Sequence, residues 1–316
     1  MPKSTHNQFP QVSVVVPLYN EAASLKELST RIISAMSEQY SFEIIFVDDG
    51  STDNSWSIIQ ELSQGNGTIR GIKFLRNYGK STALQAGFDE AEGKYVATLD
   101  ADLQDDPNEI PSMIDMLKDG YDLVSGWKKE RHDPISKTIP SRFFNRVTAG
   151  LTRIKLNDFN CGLKVYKREV TEHIQLYGEL HRYIPLLAKR QGYDKIGEKV
   201  VNHHPRKHGD TKFGISRFMH GFLDLITLIF VNRYQQSPMH FFGSVGFLFL
   251  VLGGVINAYL AVDKIVFGAN LGDRPLLLFG VMLMVLGAQF FSIGFLGELF
   301  YKSQNHLEKP NIDDKI

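Results

Sequence analysis

Two stretches of the sequence decide the fold: Ile44-Ile45-Phe46-Val47-Asp48-Asp49-Gly50-Ser51 and Tyr95-Val96-Ala97-Thr98-Leu99-Asp100-Ala101-Asp102-Leu103-Gln104-Asp105. Each begins with an apolar run of the kind found in buried parallel strands, and each continues into a cluster of aspartates. The clusters therefore come just after the C-terminal ends of two strands, which is where ligands bind in open α/β sheets. The sequence thus predicts an α/β sheet with an acidic ligand site at one edge.

Strand-like and helix-like segments alternate on both sides of these stretches. Strands are predicted at residues 12–17, 42–47, 69–75, 95–99 and 123–126. Helices are predicted at 21–39 with Asn20 as the cap, at 53–62 with Asp53 as the cap, at 79–91, and from Pro107 onward. This alternation is typical of βαβ units and predicts a mainly parallel, doubly wound, Rossmann-like sheet. Further helices at 141–153 and 181–190 and strands at 163–166 and 195–203 follow less regularly.

The aspartate clusters indicate a metal and a phosphorylated ligand. Carboxylates gathered within a few ångströms repel one another, and a divalent cation removes that repulsion. With one residue between them, Asp100 and Asp102 point to the same side of an extended segment and could hold Mg²⁺ or Mn²⁺. Asp48 or Asp49 could accept hydrogen bonds from a nucleobase or a ribose. The alternatives are a solvated loop that caps the Pro107 helix and ordinary turn residues after the earlier strand.

The C-terminal third has the composition of membrane-spanning helices. Residues 239–262 and 276–296 contain no Asp, Glu, Lys or Arg, and each is long enough to cross a bilayer as a helix. They predict a hairpin that crosses the membrane twice; a pair of core helices in a soluble protein is the alternative. Gly243, Gly246, Gly253 and Gly254 would permit close helix packing and a possible homo-oligomer.

The predicted organisation is a catalytic domain at 1–212, an amphipathic interfacial segment at 213–236, two transmembrane helices at 237–301 and a tail at 302–316. An ordinary surface helix is the alternative for 213–236. A polar N-terminus without a signal peptide and a weak excess of flanking basic residues predict that the main domain is cytoplasmic. The 35 basic and 35 acidic residues balance, so no nucleic-acid partner is expected, and the single cysteine excludes an internal disulfide.

Basic residues in predicted loops indicate a second phosphate-bearing ligand. They are Arg131, Lys137, Arg142, Arg206 and Lys212, although any one of them could be solvated surface charge. The sequence has neither a P-loop nor a Gly-x-Gly-x-x-Gly turn after its first strand, and its histidines are poorly spaced for zinc.

Four motifs in order resemble glycosyltransferase family 2 with the GT-A fold. They are Val14-Val15-Val16-Pro17-Leu18-Tyr19-Asn20-Glu21, Val47-Asp48-Asp49-Gly50-Ser51, Arg76-Asn77-Tyr78-Gly79-Lys80 and Asp100-Ala101-Asp102-Leu103-Gln104. Residues 158–163, the run from Arg206 to Lys212 and the apolar hairpin narrow the resemblance to the polyprenyl-phosphate glycosyltransferases, including bacterial enzymes of O-antigen (lipopolysaccharide) modification. The Gln-x-x-Arg-Trp motif of processive members is absent, so a non-processive enzyme is expected.

The resemblance implies roles for individual residues. The nucleotide sugar would be bound by Pro17, Tyr19, Glu21, Asp48, Asp49, Lys80 and Asp100. Asp100, Asp102 and Gln104 would surround the metal, and Asp102 and Asp158 would be the catalytic carboxylates. The acceptor phosphate would be received by Arg131, Lys137, Ser141, Arg142, Arg206 and Lys212.

The resemblance also implies a reaction. One hexose, glucose from UDP-glucose by preference, would pass with inversion to a polyprenyl phosphate such as undecaprenyl phosphate at the cytoplasmic face of a bacterial inner membrane. Mannose or an amino sugar, and another lipid acceptor such as diacylglycerol, are alternatives. A membrane-anchored sugar-nucleotide sensor or scaffold without turnover is the non-catalytic alternative.

Overall fold

The structure is a computed structural model that describes residues 9–129, 145, 148–150, 152–205, 238–268 and 275–304. The chain forms two compact units, Met1–Leu225 and Ile226–Ile316. The predicted interfacial segment at 213–236 and most of the predicted tail lie outside the described residues.

The first unit is built on a seven-stranded sheet in the order β3-β2-β1-β4-β6-β5-β7. Its strands are β1 (Val12–Leu18), β2 (Phe42–Asp48), β3 (Ile69–Lys73), β4 (Tyr95–Thr98), β5 (Leu123–Trp127), β6 (Lys164–Lys167) and β7 (Ile196–Val200). β6 pairs antiparallel with both β4 and β5, and the other pairs are parallel. The prediction of a mainly parallel α/β sheet is therefore confirmed, with β6 as an inserted strand of opposite direction.

The helices follow the predicted alternation. They are α1 (Leu25–Met36), α2 (Ser55–Gly65), α3 (Lys80–Glu90), α4 (Ile110–Lys118), α5 (Arg168–His173) and α6 (Ile184–Arg190), with 3₁₀ turns at Pro107–Glu109 and Leu180–Tyr183. All seven residues of β1 are buried, and α1 buries Leu25, Leu28 and Ile32 in the same core. The apolar runs thus form the centre of the sheet, which fixes the position of the loops that follow them.

The predicted cap at Asn20 is wrong. Helix α1 begins at Leu25 after Ser24, and Asn20 has a positive φ of 56°. Its side-chain oxygen instead accepts hydrogen bonds from the backbone N–H groups of Thr52 (2.8 Å) and Asp53 (3.3 Å). Asparagine tolerates this left-handed conformation better than most residues, so Asn20 joins two loops at the edge of the sheet instead of starting a helix.

The described part of the second unit comprises two long apolar helices, α7 (Pro238–Phe267) and α8 (Pro275–Gln304). Among the described residues, these two helices are long and apolar enough to span a membrane, with mean hydropathies of 2.2 and 2.3. Glycines let them pack closely: a Cβ on Gly246 would lie 2.7 Å from the Gly287 carbonyl, and one on Gly253 would lie 2.5 Å from the Gly280 carbonyl. Two of the glycines noted in the sequence therefore serve packing within the hairpin, whereas Gly254 faces open space.

Candidate active site

The predicted site residues meet at the carboxyl edge of the parallel strands. Pro17 pairs in register with Val47, and Leu18 pairs with Asp48, so the loops after β1 and β2 leave the sheet side by side. β4 lies on the other side of β1 and ends two residues before Asp100. The sheet therefore brings together three loops that are far apart in sequence.

The Asp48-Asp49 pair organises the loop after β3. Asp48 is fully buried and accepts a hydrogen bond from the Ser51 N–H (2.8 Å). The two oxygens of Asp49 accept from the N–H groups of Tyr78 (2.7 Å) and Gly79 (2.9 Å). Burial raises the pKa of Asp49, and these two hydrogen bonds partly offset the rise. Asp49 thus ties the second motif to the third, which positions Lys80 at the start of α3.

Gly50 allows this close approach. Its φ is +73°, and a Cβ there would lie 2.4 Å from the backbone carbon of Arg76. A side chain at position 50 would therefore push the 48–51 turn away from the 76–80 loop and disfavour the backbone conformation as well.

Asp100 lies at the centre of the site and forms an ion pair with Lys80. Burial alone would raise the pKa of Asp100, but the ammonium groups of Lys80 and Lys128 outweigh it and hold the pKa at about 2. A Cβ on Gly162 would lie 2.5 Å from the Asp100 carboxyl carbon, so the glycine leaves room for the carboxylate. Asp100 is therefore an anion held between a lysine and a glycine turn.

Asp102 has a different environment. Burial raises its pKa to about 6, and the charges of Asp100 and Asp105 add to the rise. One of its oxygens accepts a hydrogen bond from the Gln104 N–H at 3.2 Å. Leu103, between them, is buried and has a positive φ of 62°, which is a strained conformation for leucine. The backbone therefore turns sharply to bring the residues on either side of Leu103 together.

Lys128 is a site residue that is not among the basic residues singled out in the sequence. Its ammonium group lies 2.7 Å from the buried Asp105 carboxylate, and its side chain is 14% exposed. Burial lowers the pKa of Lys128, but Asp105 and Asp100 outweigh this effect and raise it. The lysine comes directly after β5, so its position at the end of a strand was the available signal.

Asp158 lies in a buried turn before β6. The Asn160 N–H donates to one of its oxygens (3.1 Å), and its own N–H donates to Glu198 (3.0 Å). Lys164, also buried, donates to the carbonyls of Phe159 (3.2 Å) and Cys161. Burial lowers the pKa of Lys164. Only 1% of Asp158 is exposed. Its catalytic role, implied by the sequence resemblance, stays a prediction.

A small cavity lies around Asp100, and only some of its lining residues were predicted from the sequence. Its lining includes the predicted residues Pro17, Lys80 and Asp100, together with Gly162, His181 and Arg182. Arg182 pairs with Glu179 at 3.2 Å. No local motif marks His181 or Arg182, because they reach the site from a 3₁₀ turn about a hundred residues after α3 begins.

Other predicted donor residues are placed at the same edge. Tyr19 and Glu21 are half-buried in the loop after β1, and the N–H of Glu21 donates to Ser55 (3.1 Å). The predicted acceptor residues Arg131, Lys137, Ser141, Arg142, Arg206 and Lys212 lie outside the described residues.

The chemistry of the donor set fits a divalent cation at Asp102. Among the described residues, no three His, Cys, Asp or Glu side chains are grouped as a complete metal site. Magnesium, however, commonly uses one or two carboxylates and completes its shell with substrate phosphates and water. Burial and the neighbouring Asp100 and Asp105 carboxylates disfavour the charge on Asp102 and raise its pKa, and a cation would relieve that repulsion. Gln104 follows in the same turn and carries an amide oxygen, a type of ligand that such a cation accepts.

Comparison with known proteins agrees with this arrangement. Residues 13–175 match the family described as Glycosyl transferase family 2. Dodecaprenyl-phosphate galacturonate synthase of Rhizobium johnstonii is 39% identical over 96% of this chain and 94% of its own length. The undecaprenyl-phosphate 4-deoxy-4-formamido-L-arabinose transferase of Pseudomonas syringae pv. syringae is 36% identical over 91% of this chain and 84% of its own length.

Solved structures share the fold of the first unit. Glucosyl-3-phosphoglycerate synthase from Mycobacterium tuberculosis, in a complex with Mn²⁺, UDP and glucosyl-3-phosphoglycerate, aligns with a TM-score of 0.53 over 71% of this chain and 80% of that chain, at 20% identity. At this identity the likeness shows the GT-A fold alone. The family match and the relatives that cover nearly the whole sequence carry the assignment: the chain is a glycosyltransferase that belongs to glycosyl transferase family 2, beside relatives that are polyprenyl-phosphate glycosyltransferases.

Proposed function

We propose that this enzyme transfers one sugar from a nucleoside diphosphate sugar to the phosphate of a polyprenyl phosphate, with inversion at the anomeric carbon. The observation that carries the proposal is the site at the carboxyl edge of the sheet, where Asp100 and Asp102 lie beside Lys80 and Lys128. Two full-length relatives whose names specify polyprenyl-phosphate chemistry support the acceptor class.

The donor's nucleoside would bind between the loops after β1 and β2. Asn20 and Asp49 hold these loops and the 76–80 loop together by hydrogen bonds, so the chain's own contacts fix the loops between which the nucleoside would bind. Lys80 is already oriented by Asp100 and can offer its remaining N–H groups to a diphosphate oxygen. A site that needs little reorganisation stabilises the departing diphosphate more effectively than flexible side chains would.

A divalent cation would be held by Asp102, with Asp100 and Gln104 beside it. When bound, Mg²⁺ or Mn²⁺ would supply Lewis-acid stabilisation to the leaving diphosphate. Lys80 and Lys128 contribute positive charge to the same region independently of the metal.

The acceptor chemistry makes modest demands on a base. A phosphomonoester has a second pKa of about 6 and is therefore mostly dianionic at neutral pH, so its oxygen is already a competent nucleophile. We assign Asp158 an orienting role, because it is buried and its turn is held by Glu198 and Asn160. Asp158→Asn should lower kcat by about tenfold or more, a loss of at least ~1.4 kcal/mol, whereas Asp119→Asn on the exposed end of α4 should not. Near-normal turnover of Asp158→Asn would remove it from the catalytic set.

The transferred sugar is a hexose in the proposal, and glucose from UDP-glucose stays the preferred prediction from the sequence resemblance. The names of the two full-length relatives specify galacturonate and formamido-arabinose, so both kinds of sugar belong in any test. The two apolar helices would anchor the enzyme in the bacterial inner membrane, with the catalytic unit on the cytoplasmic side.

The test is a donor screen with the purified full-length protein and undecaprenyl phosphate. UDP-glucose, UDP-galacturonate, GDP-mannose and a UDP-linked amino sugar, 4-deoxy-4-formamido-L-arabinose, are supplied separately, and the lipid product is identified by mass spectrometry. The proposal predicts a product carrying a single added sugar and inverted configuration by NMR. Diacylglycerol serves as the competing acceptor. Transfer to diacylglycerol instead, or nucleotide binding without transfer to any lipid phosphate, would overturn the proposal.

A further inference from the structure

His181 is a half-buried histidine at the cavity beside Asp100, and the proposed reaction assigns it no role. It lines the same cavity as Lys80, Asp100 and Gly162. It enters from the 3₁₀ turn Leu180–Tyr183, opposite the first turn of α3. The imidazole therefore reaches the place where the sugar and the diphosphate of a donor would meet the Asp100 carboxylate.

The ring is held by a single serine. Ser81 is fully buried in the first turn of α3, and its hydroxyl oxygen lies 3.0 Å from the Nδ1 atom of His181. The same oxygen accepts a hydrogen bond from the His181 backbone N–H at 3.0 Å. Two contacts to one buried hydroxyl fix both the backbone and the ring. Within the described part of the chain, Ser81 is the hydrogen-bond partner of this imidazole, and Nε2 is left for a ligand.

The charges around the ring favour a neutral imidazole. Burial lowers the pKa of His181 well below its usual value, and the nearby cations Lys80 and Arg182 lower it further. A neutral ring contributes no positive charge to phosphate binding. The two nearby cations, Lys80 and Arg182, already supply that charge. Its free nitrogen suits a hydroxyl group, because a hydroxyl can donate to one tautomer and accept from the other.

We propose that His181 binds a hydroxyl group of the transferred sugar and so contributes to donor specificity, with Ser81 as the residue that positions it. This inference rests on the proposed function and deepens it by naming a residue that recognises the sugar rather than the nucleotide. A site built to hydrogen-bond a sugar hydroxyl discriminates against a donor that lacks it, because the ring nitrogen, once covered by the donor, is then left without a partner.

The test compares His181→Ala and His181→Gln with wild type. The donor is whichever of the four nucleotide sugars in the donor screen gives the highest kcat/KM with undecaprenyl phosphate, and it is used beside its monodeoxy analogues. His181→Ala should lower kcat/KM for the parent donor by about tenfold, the effect of one buried hydrogen bond. With wild type, one deoxy analogue should have a kcat/KM about tenfold below that of the parent donor. With His181→Ala, the same analogue and the parent donor should have nearly equal kcat/KM, because the hydrogen bond is already absent. His181→Gln, which keeps an amide able to donate or accept, should recover part of the loss.

Controls separate recognition from folding. UDP affinity and the KM for undecaprenyl phosphate should stay at wild-type values in both variants, and the matched change His173→Gln on the exposed end of α5 should have no effect. Ser81→Ala should lower kcat/KM for the parent donor, as His181→Ala does, while leaving UDP affinity unchanged. If His181→Ala does not fold, His181→Gln with the same analogues still decides the question.

The outcomes are distinguishable. If wild type turns over but the His181 variants lose activity equally with every analogue, or change only the KM for undecaprenyl phosphate, the role of His181 is refuted and the proposed function stands. If wild type shows no turnover with any donor, the proposed function is refuted and this inference with it.

Discussion

Replacing Gly162 with alanine tests whether the Asp100 carboxylate must occupy its observed position. The new Cβ would lie 2.5 Å from the Asp100 carboxyl carbon and 2.6 and 2.7 Å from its oxygens. Ordinary contact between such atoms is about 3.5 Å, so the carboxylate or the turn must move by about 1 Å. The Gly162 carbonyl accepts a hydrogen bond from Thr98 at 2.8 Å, which ties the turn to β4. We therefore expect the carboxylate to move.

The displacement should affect catalysis more than stability. Overpacking of this size costs about 1–3 kcal/mol of unfolding free energy. A shift of about 1 Å in a positioned group can lower the rate by about 100-fold, which corresponds to about 2.7 kcal/mol of transition-state stabilisation. The Lys80–Asp100 ion pair would be weakened at the same time, so the affinity for UDP should fall as well.

The assay measures kcat/KM for the donor found in the screen, UDP affinity by calorimetry and Tm on the same protein preparations. Gly67→Ala is the matched control, because a Cβ at Gly67 meets nothing within 4 Å. If Gly162→Ala keeps kcat/KM within about twofold of Gly67→Ala, the position of the Asp100 carboxylate does not govern the reaction.

Three further predictions follow from the same structure. EDTA should abolish transfer and Mg²⁺ or Mn²⁺ should restore it; unchanged activity in EDTA together with an active Asp102→Ala variant would refute the metal site. Because the pKa of Asp102 is raised to about 6, the metal-free, donor-free protein should lose stability as the pH rises from about 4 to about 7, measured by thermal melts, and Asp102→Asn should flatten that dependence. Gly253→Leu should lower the Tm in detergent, because its side chain would collide with the Gly280 carbonyl, whereas Gly254→Leu, which faces open space, should not; equal melting of the two would contradict the packing of α7 on α8.

The architecture of the sheet was predictable because its signals are local. A buried parallel strand is an apolar run, and a polar cluster directly after it has to lie at the sheet's carboxyl edge, so Asp48 and Asp100 could be placed from their neighbours alone. The direction of β6 was not predictable. Its four residues, Lys164–Lys167, form a short buried run that has the same pattern whether the strand is parallel or antiparallel.

The parts of the site that the sequence did not show are contacts between distant residues. His181 meets Ser81 across a hundred positions, and Lys128 meets Asp105 across the edge of the sheet. Neither pair has a periodicity or a spacing that a pattern could detect. The cap predicted at Asn20 failed for a related reason: the side chain that would cap α1 forms hydrogen bonds with the 52–53 backbone, a partner visible only once β1 and β2 lie side by side.

The negative charges of the clustered aspartates are not equally compensated in the structure. Asp49 is compensated by two backbone N–H groups, Asp100 by Lys80, and Asp105 by Lys128. Asp102 differs from these three: within the described residues it accepts one backbone hydrogen bond and has no ion pair, and its pKa is the one raised to about 6. A cation that enters this site would therefore be stabilised most by binding Asp102. Lys80 would not be needed to neutralise that carboxylate. Lys80 is then available for the diphosphate and Asp102 for the metal, so variants of the two residues should have different defects. Lys80→Met should weaken donor affinity at every metal concentration. Asp102→Asn should raise the metal concentration that activity requires.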